Sequence, residues 1–210
     1  MMRKSALVLT AVLLSTAVSA PAQEAGVKQV EQLTNKFGST VEAITDARAQ
    51  LVKTMDVYNS IFSEVAKDRK SLYKKLQNEM DTMVKRRGEI STRAEQTRIE
   101  ADNLFVSWGN SLSGITDPDL RKRSEERLAK TKARYADIQA TGRQADDAYA
   151  PVMKKLQDQV AYLGHDLNAE AVGSLKGDAA KLNGQVDELK KRIDDLVGSI
   201  NKNIDALRPQ

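Results

Sequence analysis

Cysteine is absent from the chain. No disulfide can staple it, no thiolate can hold zinc, and no N-terminal cysteine can carry a lipid, so stability has to come from burial. Histidine occurs once and proline four times, and aromatic residues make up 4% of the sequence. With one imidazole there is no His-x-x-x-His zinc motif. The glycine patterns of dinucleotide-binding folds, P-loops and nucleophile elbows are missing too. Beyond Val18 no apolar run approaches the roughly 20 residues needed to span a bilayer. What is abundant is charge, at 30% of residues. High charge with few aromatics fits either a disordered chain or long exposed helices, and the spacing of the apolar residues decides between them.

The first 22 residues read as a leader peptide. Arg3 and Lys4 form a positive start, Ala6 to Val18 is uncharged and mostly apolar, and Ala20-Pro21-Ala22 fits a small-residue cleavage site. An exported, periplasmic protein beginning at Gln23 is expected. Losing Arg3 and Lys4 brings the formal charge from +4 to +2, so the full chain's isoelectric point of about 9.2 overstates how basic the mature chain is.

From residue 23 onward apolar residues recur at steps of three and four, the period of a helix with one buried stripe. The fold expected is all-α: long antiparallel helices at about 27–66, 69–112, 118–163 and 168–207, forming a four-helix bundle or two coiled-coil hairpins. The first stripe is Phe37, Val41, Ile44, Leu51, Met55, Tyr58, Phe62 and Val65, with Arg48 its one polar member. The second runs from Leu72 to Leu112 at about 3.6 residues per step, the spacing of a nearly straight helix, with Arg87 and Arg98 interrupting. Asp117-Pro118 is a cap followed by a good first helical residue. The third stripe passes through Leu128, Thr131, Tyr135, Ile138, Leu156, Gln159 and Leu163, and Pro151 inside it predicts a kink. Asn168 is the expected cap of the fourth helix, whose Leu182, Val186, Leu189, Ile193, Leu196 and Ile200 form the cleanest heptad. Gly177, Gly184 and Gly198 share one outward heptad position there. This fits either a close helix contact or, more simply, an unconstrained outer face. The first boundary is the weakest. Without a turn near Asp68, the first two segments would make one helix of about 80 residues, roughly 120 Å long.

Positive charge concentrates in the middle. Residues 67–134 hold 17 basic and 11 acidic side chains. Attraction to an anionic surface is one reading and a solvated helix face the other. Nucleic acid is disfavoured, because no basic stretch alternates with stacking aromatics. His165 beside Asp166 falls short of a metal site and reads as the end of a helix that Gly164 breaks, with the imidazole near the C-terminus easing the dipole. Asp146-Asp147 and Asp194-Asp195 are adjacent pairs pointing about 100° apart, so neither forms a catalytic dyad. Trp108 reads as a plug at the bundle's end. No catalytic, cofactor-binding or metal-binding residue is assigned, and no small-molecule substrate is expected.

The stretch PVMKKLQDQVAYLGHDLNAEAVGSL, from Pro151 to Leu175, resembles the hallmark region of a bacterial family of exported coiled-coil proteins known only as a domain of unknown function. The segment from Leu104 through Trp108 and on through DPDLRKRSEERLAKTKARYADI is similar to the same family. Family members usually read Leu-Lys-His-Asn-Leu-Asn-Ala where this chain has Gly164 and Asp166, and many carry a lipidation cysteine that this chain lacks. The resemblance implies an exported helical protein and no activity. The expected role is therefore non-enzymatic: a structural or protein-interaction module whose partner is another protein or a second copy of itself. Alternatives are a holdase-type chaperone for exported proteins and peripheral contact with anionic membrane. Intact-mass measurement of protein recovered from the periplasm is expected to give a chain starting at Gln23, and a mass retaining Arg3 and Lys4 would refute the leader.

Overall fold

The computed structural model describes residues 20–63 and 68–207. The leader expected over 1–22 lies outside the described residues except for Ala20, Pro21 and Ala22, which open the first helix. Helix α1 spans Ala20–Ile61, α2 Arg69–Ser111, α3 Pro118–His165, α4 Ala169–Ser174 and α5 Lys176–Leu207, with a short 3-10 turn at Leu112–Gly114 after α2. No strand occurs among the described residues. The four long helices run up, down, up, down. Around the bundle each of α1, α2, α3 and α5 packs on the next, and α5 closes back on α1. Of the two arrangements expected, the four-helix bundle forms.

Local chemistry sets the ends. Asp68 caps α2 by accepting from the Ser71 N–H at 2.9 Å. Asp117 accepts from the N–H groups of Asp119 and Leu120 ahead of Pro118, and Asn168 accepts from Ala171 at 2.8 Å. The turn near Asp68 is thus real, and the single 80-residue rod is not formed. Three boundaries differ from expectation, the first being the start of α1 at Ala20 rather than near residue 27. Helix α1 stops at Ile61 rather than 66, because Phe62 and Ser63 turn back onto the carbonyls of Asn59 and Ser60. Arg69, at the start of α2, donates to the carbonyls of Ile61 and Ser63 and satisfies groups the helix end leaves open. The fourth segment is two helices, with Leu175 between α4 and α5. Helix α3 continues through Pro151 to His165 without a break.

The reason for a bundle lies in α1. Beside the expected stripe, a second one runs through Thr40, Ala43, Ala47, Gln50, Thr54, Val57 and Ile61, also at steps of three and four. Small and short polar side chains dominate it, and α1 and α2 form the closest pair of the bundle along this seam. The first stripe, with Phe37, Ile44, Leu51, Met55 and Tyr58, faces the centre. The interior divides into two clusters. One surrounds Leu51, Tyr58, Leu76, Leu156 and Leu182 near the α1–α2 turn, and the other surrounds Phe37, Ala101, Leu104, Ile138 and Ile200. Between them, where Ala47, Gly142 and Ala145 leave little side chain, sits a mostly apolar cavity of about 120 Å³ lined also by Leu51, Met83 and Leu196.

A methyl group on Gly142 would lie 3.9 Å from Leu196 Cδ1, an ordinary contact. Gly142→Ala should therefore stabilise the bundle by about 1–2 kcal/mol, from helix propensity and partial filling of the cavity. Urea denaturation checks this, and a loss of stability would show that the waist is tighter than described.

Candidate functional surface

The polar residues buried between helices account for the register. On the α1–α2 seam, the Gln50 amide donates to Glu79 Oε2 at 2.8 Å and to the Glu79 carbonyl at 3.1 Å, while Lys53 pairs with the other carboxylate oxygen at 3.0 Å. The hydrogen bond from Gln50, aided by Lys53 and opposed by burial, holds the Glu79 carboxyl below its ordinary value. Further along the seam the Thr40 and Thr97 hydroxyls meet at 2.9 Å. Across the diagonal, the buried Tyr58 hydroxyl donates to Gln159 Oε1. Burial, and behind it the charge of Asp178, pushes the Tyr58 phenol above its ordinary value.

The polar members of the expected stripes divide. Arg48 reaches from α1 to Asp194 on α5, with its Nε at 2.7 Å and Nη2 at 2.8 Å from the two carboxylate oxygens. Gln159 joins α3 to α1. Thr131 is buried, but its hydroxyl bonds only to the Arg127 carbonyl one turn back, so it sets no register. Arg87 bridges α2 to Asp146 on α3 at 2.8 Å and stacks over Tyr149, 5.3 Å from the ring centre. Arg98 stays on its own helix with Glu95 and Asp102. One carboxylate of each adjacent aspartate pair is therefore an interhelical anchor. The Gln50–Glu79 and Thr40–Thr97 pairs were missed in the sequence because they sit one position off the strongest apolar stripe. Their signal was the weaker second repeat of alanines and threonines.

His165 ends α3 with its side chain exposed, and it forms no ion pair among the described residues. Gly164 is not the helix-ending residue expected. The cap is Asp166, in extended backbone, and a Cβ on Gly164 would meet the Tyr73 hydroxyl at 2.6 Å. The family's usual lysine there would have to displace that tyrosine. Trp108 is half-buried, as expected of a plug, and its indole N–H donates to Ser124 Oγ at 2.9 Å. The outward glycines Gly177, Gly184 and Gly198 have nothing within 4 Å of an added Cβ, so no close helix contact within the chain explains them. Among the described residues no cluster of acidic and histidine side chains could hold a metal, and no helix is long and apolar enough to cross a membrane.

A family model described as a protein of unknown function (DUF2959) matches residues 20–207. The chain belongs to this family. No curated protein and no solved structure matches it. The family resemblance read from the Pro151–Leu175 region thus holds across all the described residues.

Two surface features remain after the ion pairs are accounted for. One is the outer side of α2, where Val84, Ile99 and Val106 are 58%, 46% and 63% exposed. Beside it, Val84, Tyr149 and Met153 line a groove between α2 and α3, edged by Arg87, Lys154 and Gln157. The other is the N-terminal third of α3, whose cations form no ion pair among the described residues.

The charged hydrogen bond at Glu79 makes the seam sensitive to acid. A carboxyl held below its unfolded value, about 4.3, contributes stability above that pH and loses it as the pH falls through the folded value. Glu79→Gln should cost about 1–2 kcal/mol at neutral pH, and the gap to the parent should narrow below about pH 4.5. Urea midpoints of both proteins from pH 7 to about pH 3 test this, and a gap that stays constant would rule out the linkage.

Proposed function

We propose that this protein is an exported, non-enzymatic helical bundle that works by binding another protein along the outer side of α2. The observation that carries the reading is the set of apolar residues that helix leaves in water. Val84, Ile99 and Val106 fall within a narrow arc of the helical wheel, and all three face solvent although α2 already buries a full stripe inward. Of the three, Val84 also lines the groove beside it. The adjoining groove has an apolar floor and a polar edge, the arrangement that receives an amphipathic helix. Such a helix comes from a different protein or from a second copy of this one.

The interior supports a structural rather than a catalytic role. Its polar groups pair across helix seams, at Gln50–Glu79, Thr40–Thr97 and Tyr58–Gln159, where they act on register. Export is supported by the leader-like residues 1–22, and the family match begins at residue 20, after the apolar run.

A photo-crosslinking amino acid placed at position 84 or 99 should give a discrete adduct in the periplasm. The same probe at Ala180 or Lys191, exposed on α5, should give none, and Val84→Glu should abolish the adduct from position 99. Equal adducts from both helices, or none from α2, would exclude the α2 surface as the binding face.

A further inference from the structure

The structure redistributes the positive charge of residues 67–134. On α2 the four arginines from Arg86 to Arg98 are ion-paired, Arg86 with Asp46 and Glu89, Arg87 with Asp146, Arg93 with Glu42, and Arg98 with Glu95 and Asp102, while the cations that form no ion pair there among the described residues, from Arg69 to Lys85, lie toward the opposite end of the helix. On α3, between residues 121 and 134, there are seven basic and two acidic side chains, and none of the seven forms an ion pair among the described residues. Arg123, Arg127, Lys130 and Arg134 recur at steps of four, three and four, which puts them on one stripe of the helix, and all four are exposed. Leu120 begins the same stripe and is 54% exposed. Half-buried Leu112, Ile115 and Trp108 lie at the same end of the bundle, with the Arg127 guanidinium 5.8 Å from the Trp108 ring centre.

We infer that this end of the bundle docks on a lipid bilayer bearing anionic headgroups. The argument is charge complementarity with an apolar lead. Four cations that form no ion pair among the described residues lie along about 16 Å of helix and face the same way, on side chains long enough to reach phosphate groups. Leu120 and the tryptophan-containing turn supply the shallow apolar contact that interfacial binding adds to electrostatics. Glu125 and Glu126 are the acids within this segment, and neither is drawn into a pair with the stripe. Asp117, just ahead, is engaged in capping α3. A nucleic acid would match the charge but would have no use for the exposed Leu120 beside it.

The chain contains one tryptophan, so Trp108 reports on this end without labelling. The test uses the full mature protein and vesicles of phosphatidylcholine with or without about one third phosphatidylglycerol, at about 0.05 M and about 0.5 M salt. Co-flotation and a blue shift of tryptophan emission are expected with the anionic vesicles at low salt, and both should be lost at high salt. Each cation near an anionic surface strengthens binding about fivefold, so R123Q/R127Q/K130Q/R134Q should weaken it by about a hundredfold or more. K74Q/K75Q, at the opposite end of the bundle, should bind as the parent does. If the quadruple variant fails to fold, the single exchanges R123Q and K130Q carry the test, each with a severalfold loss. Equal binding to neutral vesicles, no effect of removing the stripe, or no flotation at low salt overturns the inference. So does displacement from the vesicles by an acidic protein or nucleic acid at equal charge concentration. None of these outcomes touches the proposed protein contact, whose adducts come from the outer side of α2.

Discussion

Helix α1 has to bury two adjacent stripes at once, and the rest of the bundle follows from that. An isolated hairpin covers one stripe of each helix. Here the Thr40–Ile61 series needs α2 beside it, while the Phe37–Tyr58 series needs a second layer, which α3 and α5 provide. The chemistry of the two stripes differs in a useful way. Alanine and threonine let α1 and α2 approach closely, and the aromatic and long aliphatic side chains of the other stripe fill the wider central space. Two coiled-coil hairpins lying apart would have left the second stripe in water.

Register along these seams comes chiefly from buried polar pairs, with the exposed ion pairs in a secondary role. An exposed pair such as Arg87–Asp146 contributes about 0–1 kcal/mol. The Gln50 amide and the Glu79 carboxylate, by contrast, are shielded from water, and a sliding helix would leave both without partners at a cost of about 1–3 kcal/mol each. The ion pairs have another consequence: they neutralise Arg86, Arg87, Arg93 and Arg98 on α2, and none of them reaches the stripe from Arg123 to Arg134 on α3. The surface potential of the molecule is thus a product of its topology. The outer side of α2 and the N-terminal third of α3 differ in character, one apolar and one cationic, so each can serve a different contact.

The helical period, the turn near Asp68, the caps at Asp117 and Asn168, and the family relationship were all legible in the residues, because each depends on neighbours within a turn or two of the chain. Gly164 was harder. It reads as a helix breaker, yet its helix runs on to His165, and the lack of a side chain makes room for Tyr73 from another helix. The split at Leu175 and the early end of α1 were likewise hidden, since Arg69 satisfies the α1 carbonyls from across the turn.

The amino-acid order alone determined that the chain forms long amphipathic helices, where most of them begin, and that no disulfide or zinc–thiolate centre holds them together. Apolar spacing, capping and composition act locally, so they can be read from one strand of text. Which charges remain unpaired, which apolar residues stay exposed and which glycine makes room for a neighbour were decided only when four helices came together. Those properties belong to pairs of residues far apart in the chain, and one helix cannot report what the next one covers.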